Sequence, residues 1–128
     1  MAARLGRIAL EVADIDRAVA DFSDLFGLDF SMLEIPAQNL RAAYGDHGIE
    51  FVQMTLADWH PREAGQLQGC CMAVDDVEQS RAHLISRGHS VIMTIPLQSG
   101  RNEYVFAPIH GIPVMIYQEC GYFDPIAQ

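Results

Sequence analysis

Apolar and polar side chains alternate along residues 5–12, which is the period of a half-buried β-strand. The strand face opposite the apolar one carries Arg7, Ala9 and Glu11. The strand leads to Asp14, a residue type that caps helix N-termini, and Gly27 is suited to the left-handed position that ends a helix. Apolar residues recur between them at helical spacing: Ile15, Ala18, Val19, Phe22, Leu25 and Phe26. The pattern predicts a strand followed by an amphipathic helix.

Three further strand-like runs follow this helix, at residues 28–35, 39–45 and 49–56. Turn-forming residues separate the runs, with Pro36 between the first two and Asp46, His47 and Gly48 between the last two. The first half of the chain is therefore predicted to be a βαβββ unit.

The second half repeats this order. The stretch 12–15 (Val-Ala-Asp-Ile) recurs 62 residues later at 74–77 (Val-Asp-Asp-Val). The pattern predicts a helix capped by Asp76 and closed by Gly88, with an apolar stripe of Val77, Leu84 and Ile85. Strands are predicted at 69–74, 89–97, 101–107 and 112–118. Two copies are too few for a solenoid, so the pattern indicates two paired half-units.

The predicted fold class is α+β, with two tandem βαβββ modules. The length is that of one ordinary domain, and we expect a single domain over residues 1–128. Within it, module one covers about 5–56, a linker 57–68, module two about 69–118, and a tail 119–128 that packs on the surface.

Charge and composition exclude some classes of partner. The net charge is −9 with only eight Lys and Arg residues, which argues against nucleic-acid binding. No apolar run of membrane length is present, so no membrane association is expected. The odd count of three cysteines (Cys70, Cys71 and Cys120) fits reduced thiols in a cytoplasmic protein better than a disulfide framework.

The chain resembles the vicinal oxygen chelate superfamily, which includes glyoxalase I, bleomycin resistance proteins, extradiol dioxygenases and methylmalonyl-CoA epimerase. The stretches that carry the resemblance are 12–18, 25–28 and 106–114. It implies that each module curls into a half-barrel with one helix on its outside, around a cavity. It also implies a homodimer, for which Leu28–Ile35 and the pair Tyr122 and Phe123 are candidate contacts. Members isomerise, cleave, oxygenate or only bind, so fold alone does not name the reaction.

The resemblance assigns metal ligands to four positions, which this chain fills with Arg7, Glu50, Gly69 and Met115. Only Glu50 is a ligand type, because arginine stays protonated, glycine has no side chain, and a thioether suits hard or borderline ions poorly. The first-module assignment could also fall on Val52, on the same strand face. We therefore expect no metal and no other cofactor, and interpret the histidines as turn or surface residues.

Arg7 and Glu50 become neighbours if the first and last strands of module one pair as the resemblance implies. They are then either an ion pair that replaces the metal structurally, or a catalytic pair in which Glu50 is the base and Arg7 anchors an anionic oxygen. Both interpretations stay open at this point. Residues expected to bind the ligand are Glu11, Tyr44, Met54, Cys71, Tyr104, Met115 and Tyr117.

Two functions follow from these residues. The first is a metal-independent isomerase, epimerase or lyase that acts at an activated C–H of a small, mostly apolar or aromatic molecule. The second is a protein that binds and sequesters an antibiotic or metabolite without converting it. Charges open to a ligand cavity favour the enzyme, whereas a closed, dry pair favours the binding protein.

Overall fold

A computed structural model describes residues 3–36, 39–54 and 67–127. The first five elements are β1 (Arg4–Glu11), α1 (Ile15–Phe26), β2 (Ser31–Ile35), β3 (Leu40–Tyr44) and β4 (Ile49–Met54). The next five are β5 (Leu67–Val74), α2 (Val77–Ser86), β6 (Val91–Pro96), β7 (Asn102–Ile109) and β8 (Ile112–Gln118). The predicted tandem βαβββ order is thereby confirmed. Neither described helix is long and apolar enough to span a membrane.

Module one is a mixed sheet with strand order β2-β3-β4-β1. β1 runs parallel to β4, and the remaining pairs are antiparallel. Helix α1 packs on β3 and β4 over a core of Ile15, Ala43 and Phe51. The ring of Phe22 meets that of Phe51 edge-on, at 5.0 Å between centroids. Burial of these apolar groups is the main source of stability in the module.

Module two repeats the same topology with strand order β5-β8-β7-β6. β5 is parallel to β8, while β6, β7 and β8 pair antiparallel. Helix α2 packs on β7 and β8. The core beneath it contains Val74, Val77, Tyr104, Phe106 and Ile116.

The two helices begin in the same way. The carboxylates of Asp14 and Asp76 accept hydrogen bonds from the backbone three residues on, at 3.1 and 3.0 Å. A glutamine on the last strand of each module also accepts from the first helical N–H: Gln53 from Ile15 at 3.0 Å and Gln118 from Val77 at 3.3 Å. These contacts satisfy backbone donors that the helix itself leaves unpaired. They also fix each helix against its own sheet.

The predicted helix stripes extend too far. Leu25 and Phe26 are 68 and 64% exposed, and Ile85 is 45% exposed, so the last turns are not core. Spacing identifies the apolar side of a helix, but only the tertiary structure decides how far the partner surface extends beneath it.

The second predicted strand also begins too early, because β2 starts at Ser31 and not at residue 28. The residues before it serve a turn instead. The carbonyl of Asp29 contacts Nε2 of His47 at 3.0 Å, and the ring of Phe30 lies 4.6 Å from the imidazole. Nδ1 of His47 accepts from the backbone N–H of Ile49 at 3.2 Å, which is the turn role expected of this histidine. The predicted strand end at 55–56 and most of the linker fall outside the described residues.

The tail packs on module two. Ile126 is buried and forms an antiparallel bridge with Leu97. The carbonyl of Pro125 accepts from the N–H of Gln98 at 2.8 Å, and the N–H of Ala127 donates to Pro96 at 2.9 Å.

Candidate functional site

The sheet of module one has two chemically different faces. The face under α1 is apolar, whereas the opposite face carries charged side chains from β1 and β4. Because side chains alternate along a strand, Arg7, Ala9 and Glu11 share that face. Ala9 pairs with Glu50 and Glu11 pairs with Val52 across the parallel ladder, which brings the β4 residues onto the same face. All five residues are buried.

Arg7 and Glu50 form the candidate site. The Nε–H of Arg7 donates to Oε1 of Glu50 at 2.8 Å. Only 8% of Arg7 and 6% of Glu50 is exposed. Parallel pairing fixes the contact, since Ile8 pairs with Ile49 and its N–H donates to Gly48 at 2.9 Å. A salt bridge this buried interacts strongly because little water screens it, and each charge has a large desolvation cost.

Tyr44 lies beside the pair. Its ring centroid is 5.8 Å from Cζ of Arg7, within the range of a cation–π contact. Tyr44 itself is 2% exposed. Glu11, at the C-terminal end of β1, adds a second buried carboxylate to the same face. The structure thus places four predicted site residues of module one on one surface.

This arrangement can hold an anionic oxygen and move a proton. A guanidinium carries five N–H donors in a planar fork, a geometry that suits recognition of anionic oxygens. The carboxylate of Glu50 can accept a proton, and the guanidinium of Arg7 compensates its buried charge. The plain alternative is a structural ion pair, and the geometry accommodates both roles.

Module two presents different chemistry at the equivalent strand positions. Cys71 pairs with Met115 and Ala73 with Tyr117. Sγ of Cys71 lies 3.9 Å from Sδ of Met115. Cys71 and Ala73 are buried, while Met115 and Tyr117 are half-buried. This is the soft, mostly apolar surface that the sequence predicts for ligand contact.

The hydroxyl of Tyr117 reaches the backbone of Gly6. A Cβ added at Gly6 would lie 1.9 Å from that oxygen and 2.6 Å from the ring. Any side chain at this position would therefore displace the tyrosine.

Tyr104 was expected to share this surface, and that prediction is wrong. Tyr104 pairs with Ile116 and lies in the core under α2, on the face opposite Met115. Its hydroxyl donates to the carboxylate of Glu78, and its ring lies 5.1 Å from the guanidinium of Arg81. Burial, reinforced by the bond to Glu78, raises the pKa of Tyr104 above its ordinary value.

Sequence reasoning missed Glu103. Because Tyr104 faces the helix, its neighbour points to the other side of β7, the side of Val105, which pairs with Met115. Glu103 is 2% exposed, so it is a buried carboxylate on the surface that carries Cys71 and Met115. The alternation of residues 103–106 predicts that Glu103 and Val105 share one face of β7 and that Tyr104 and Phe106 share the other. Only the pairing of β7 with β8 decides which of these faces meets the helix. The side chain of Met54, also a predicted ligand contact, lies outside the described part of the chain.

The donor set does not fit the metal that the resemblance implies. In module one, Arg7 donates to Glu50 where two ligands would stand, and its fixed positive charge repels a cation. In module two, Gly69 has no donor atom, and a Cβ there would lie 2.8 Å from the carbonyl oxygen of Pro113. The other implied ligand position of module two, Met115, offers only a thioether. Within residues 3–36, 39–54 and 67–127, no three His, Cys, Asp or Glu side chains are grouped to hold an ion.

The fold is similar to that of solved methylmalonyl-CoA epimerases. The Mycobacterium tuberculosis epimerase matches with a TM-score of 0.72 and 17% identity over 91% of this chain and 87% of that one. A Streptomyces coelicolor epimerase variant bound to 2-nitronate-propionyl-CoA matches with a TM-score of 0.75 and 17% identity over 98% and 100%. A hypothetical protein from Bacillus halodurans reaches 0.72 and 17% over 96% and 99%.

No family model matches the sequence, and no curated protein does either. At these identities the structural likeness is a likeness of fold. The chain has the fold of the solved methylmalonyl-CoA epimerases, and the resemblance predicted from its sequence is confirmed at the level of fold.

Proposed function

We propose that the chain binds a small, mostly apolar or aromatic molecule beside Arg7 and Glu50, and converts it as a metal-independent isomerase, epimerase or lyase. The observation that carries the proposal is the 2.8 Å contact between a guanidinium and a carboxylate on the face opposite the helix. A methylmalonyl-CoA epimerase of the same fold has been solved with methylmalonyl-CoA bound, with a TM-score of 0.75. An epimerase must remove and return a proton at carbon, which is the chemistry that a carboxylate base performs.

In this proposal Glu50 takes the proton from a carbon next to a carbonyl, and the electrons of the C–H bond move onto the carbonyl oxygen. Arg7 donates hydrogen bonds to that oxygen and stabilises the enolate as its charge develops. The phenol ring of Tyr44 packs beside the guanidinium and limits its movement. Delivery of a proton to the opposite face of the carbon by a second acid or by water gives epimerisation, whereas departure of a leaving group from the neighbouring carbon with its electron pair gives a lyase.

Sequestration without turnover is the second candidate, and the burial of the pair favours it. Arg7 and Glu50 are less than a tenth exposed and are bonded to each other. A pair that stays closed when the ligand binds would support a pocket for an antibiotic or metabolite and take no part in chemistry.

The experiment that separates the two begins with native mass spectrometry of the purified protein, which identifies a retained molecule by its mass. That molecule is then incubated with the protein in D₂O and followed by proton NMR. Enzyme-dependent loss of one C–H signal, with or without rearrangement, supports the proposal. A molecule that stays bound with all its C–H signals intact identifies the sequestering protein.

Metal independence gives a separate prediction. We expect elemental analysis to find no stoichiometric Zn, Ni, Mn, Fe or Co, because three of the four implied positions hold Arg7, Gly69 and Met115. Chelators should leave both the melting temperature and the activity unchanged, since no metal binding is linked to folding. About one equivalent of metal per chain would contradict the prediction, and His47, Glu50 and His110 would be the first ligands to test.

The chain is also proposed to be a homodimer in the cytoplasm. Exposed apolar side chains occur near the predicted contacts, with Met32 on β2 at 38% exposed and Tyr122 at 60%. β2 is also the edge strand of its module. We expect sedimentation at micromolar concentration to give twice the 14.2 kDa chain mass. A species of single-chain mass, found for both the parent and Met32→Lys, would contradict the dimer.

The free cysteines Cys70, Cys71 and Cys120 fit a reducing compartment.

A further inference from the structure

A cavity lies in module two, on the helix side of its sheet and therefore on the face opposite Cys71 and Met115. Its volume is about 470 Å³, which is within the range of small-molecule sites. The floor is apolar, formed by Met72, Val74, Val114 and Ile116, and Leu84 of α2 forms a wall. The polar residues on its rim are Asp75, Gln79, Ser80 and His83.

Module one fills the corresponding space with aromatic rings. Leu10 pairs with Phe51 in module one as Met72 pairs with Ile116 in module two, so Ile116 takes the place of Phe51. The 62-residue offset likewise makes Leu84 the counterpart of Phe22. Phe22 lies 5.0 Å from Phe51, and Phe30 stacks on Phe51 at 5.3 Å. Module two carries its core rings on β7 instead, as Tyr104 and Phe106, and the aliphatic side chains of Leu84 and Ile116 leave part of the helix side open.

The opening is larger than a packing defect. Protein interiors leave few voids larger than a water molecule, and an apolar wall facing water costs free energy. A cavity with an apolar floor and a few polar groups at its entrance is the usual form of a small-molecule site. An aromatic ring with a short side arm is small enough to enter a cavity of this volume.

The rim sets the charge of that occupant. Asp75 is exposed at the entrance and, among the residues that the structure describes, forms no ion pair. Its counterpart in module one is Ala13, so the carboxylate is particular to the module with the open cavity. The chain as a whole carries −9, which repels anions.

We propose that this cavity, defined by Met72, Leu84, Ile116 and Asp75, is a binding site for a small amphipathic amine. The apolar body lies against Met72, Leu84 and Ile116, and the ammonium group faces the carboxylate of Asp75. The site is separate from Arg7 and Glu50 and does not depend on their role.

The test follows the methyl signal of Met72 by NMR in protein labelled at its methionine methyl groups, with Met72→Leu to assign the signal. We expect 2-phenylethylamine to shift it saturably. 2-Phenylethanol should bind about two- to fivefold more weakly, which is the worth of an exposed ion pair, and 3-phenylpropionate more weakly still. Leu84→Phe, which restores the ring found in module one, should abolish the shift. Asp75→Asn should remove the advantage of the amine over the alcohol, and Asp24→Asn on α1 should leave it unchanged.

Leu84→Phe could overpack and unfold, in which case Asp75→Asn decides, because that position is exposed. The proposal is overturned if no probe gives a saturable shift, if the carboxylate binds as tightly as the amine, or if Asp75→Asn leaves the preference intact. A Met72 signal that moves with protein concentration in the absence of any probe would place a second copy of the chain in the cavity, and it would overturn the proposal as well.

Discussion

Glu50→Gln is expected to lower turnover by roughly 10²–10⁴-fold while ligand binding survives, because the amide keeps the shape of the side chain but cannot accept the proton. The effect should appear in the rate of C–H exchange in D₂O and not in the dissociation constant. The matched control is Glu34→Gln, since Glu34 is also bonded to an arginine, Arg41, at 3.0 Å but lies at the surface with 63% of its side chain exposed. We expect the control to keep the parent rate.

Three outcomes can be distinguished. A slow Glu50→Gln with parent affinity supports Glu50 as the base. A rate that stays within a factor of a few of the parent would exclude Glu50 and direct attention to the other buried carboxylates, Glu11 and Glu103. If the parent protein itself shows no C–H exchange in D₂O, sequestration without turnover is the function that remains supported.

Arg7→Met should cost about 3–5 kcal/mol of the free energy of unfolding, because it leaves the carboxylate of Glu50 buried without the cation that it contacts at 2.8 Å. Glu50→Gln alone should destabilise the fold for the converse reason. The double variant Arg7→Met/Glu50→Gln should recover much of the loss, since it removes both charges together. Denaturant unfolding of the four proteins measures this coupling directly.

An exposed arginine provides the control for this cycle. Arg41 bonds Glu34 at 3.0 Å and Asp16 at 3.1 and 3.0 Å, and the hydrogen bonds to Asp16 hold the pKa of that carboxyl below its ordinary value. Because the cluster is solvated, Arg41→Met should cost far less than Arg7→Met. Equal losses at the two arginines would show that the Arg7 pair is not behaving as a buried one.

The same double variant separates structure from catalysis. If the pair serves only to replace a metal structurally, the double variant is stable and binds the retained molecule as the parent does, and the parent shows no exchange. If the pair is catalytic, the double variant is stable but slow, and it binds anionic ligands more weakly because Arg7 is lost. A double variant that turns over at the parent rate would end the enzyme proposal in this form.

The sequence by itself determined the order of the elements and the neighbourhood of Arg7 and Glu50. Local patterns carry this information, since Asp14 and Asp76 cap their helices through contacts three residues away. The resemblance to the vicinal oxygen chelate superfamily then implies that the last strand of each module pairs with its first. With that pairing, alternation along the strands is enough to put both charged groups on one face.

Only the tertiary structure decided which face of β7 meets the helix. Alternation fixes that Glu103 and Tyr104 point oppositely, but the partner strand chooses between them, and Tyr104 pairs with Ile116 under α2. The ladders of β6 and β7 also shift register, between Val91 and Met93 and between Phe106 and Ile109. Counting residues from either end of these strands therefore does not predict the face on which a side chain lies. The open cavity beneath α2 could not be predicted from the sequence either. Leu84 and Ile116 have the pattern of core residues, and only the structure shows the space beside them. Patterning specifies which residues are apolar, whereas packing between distant segments decides whether they fill the interior.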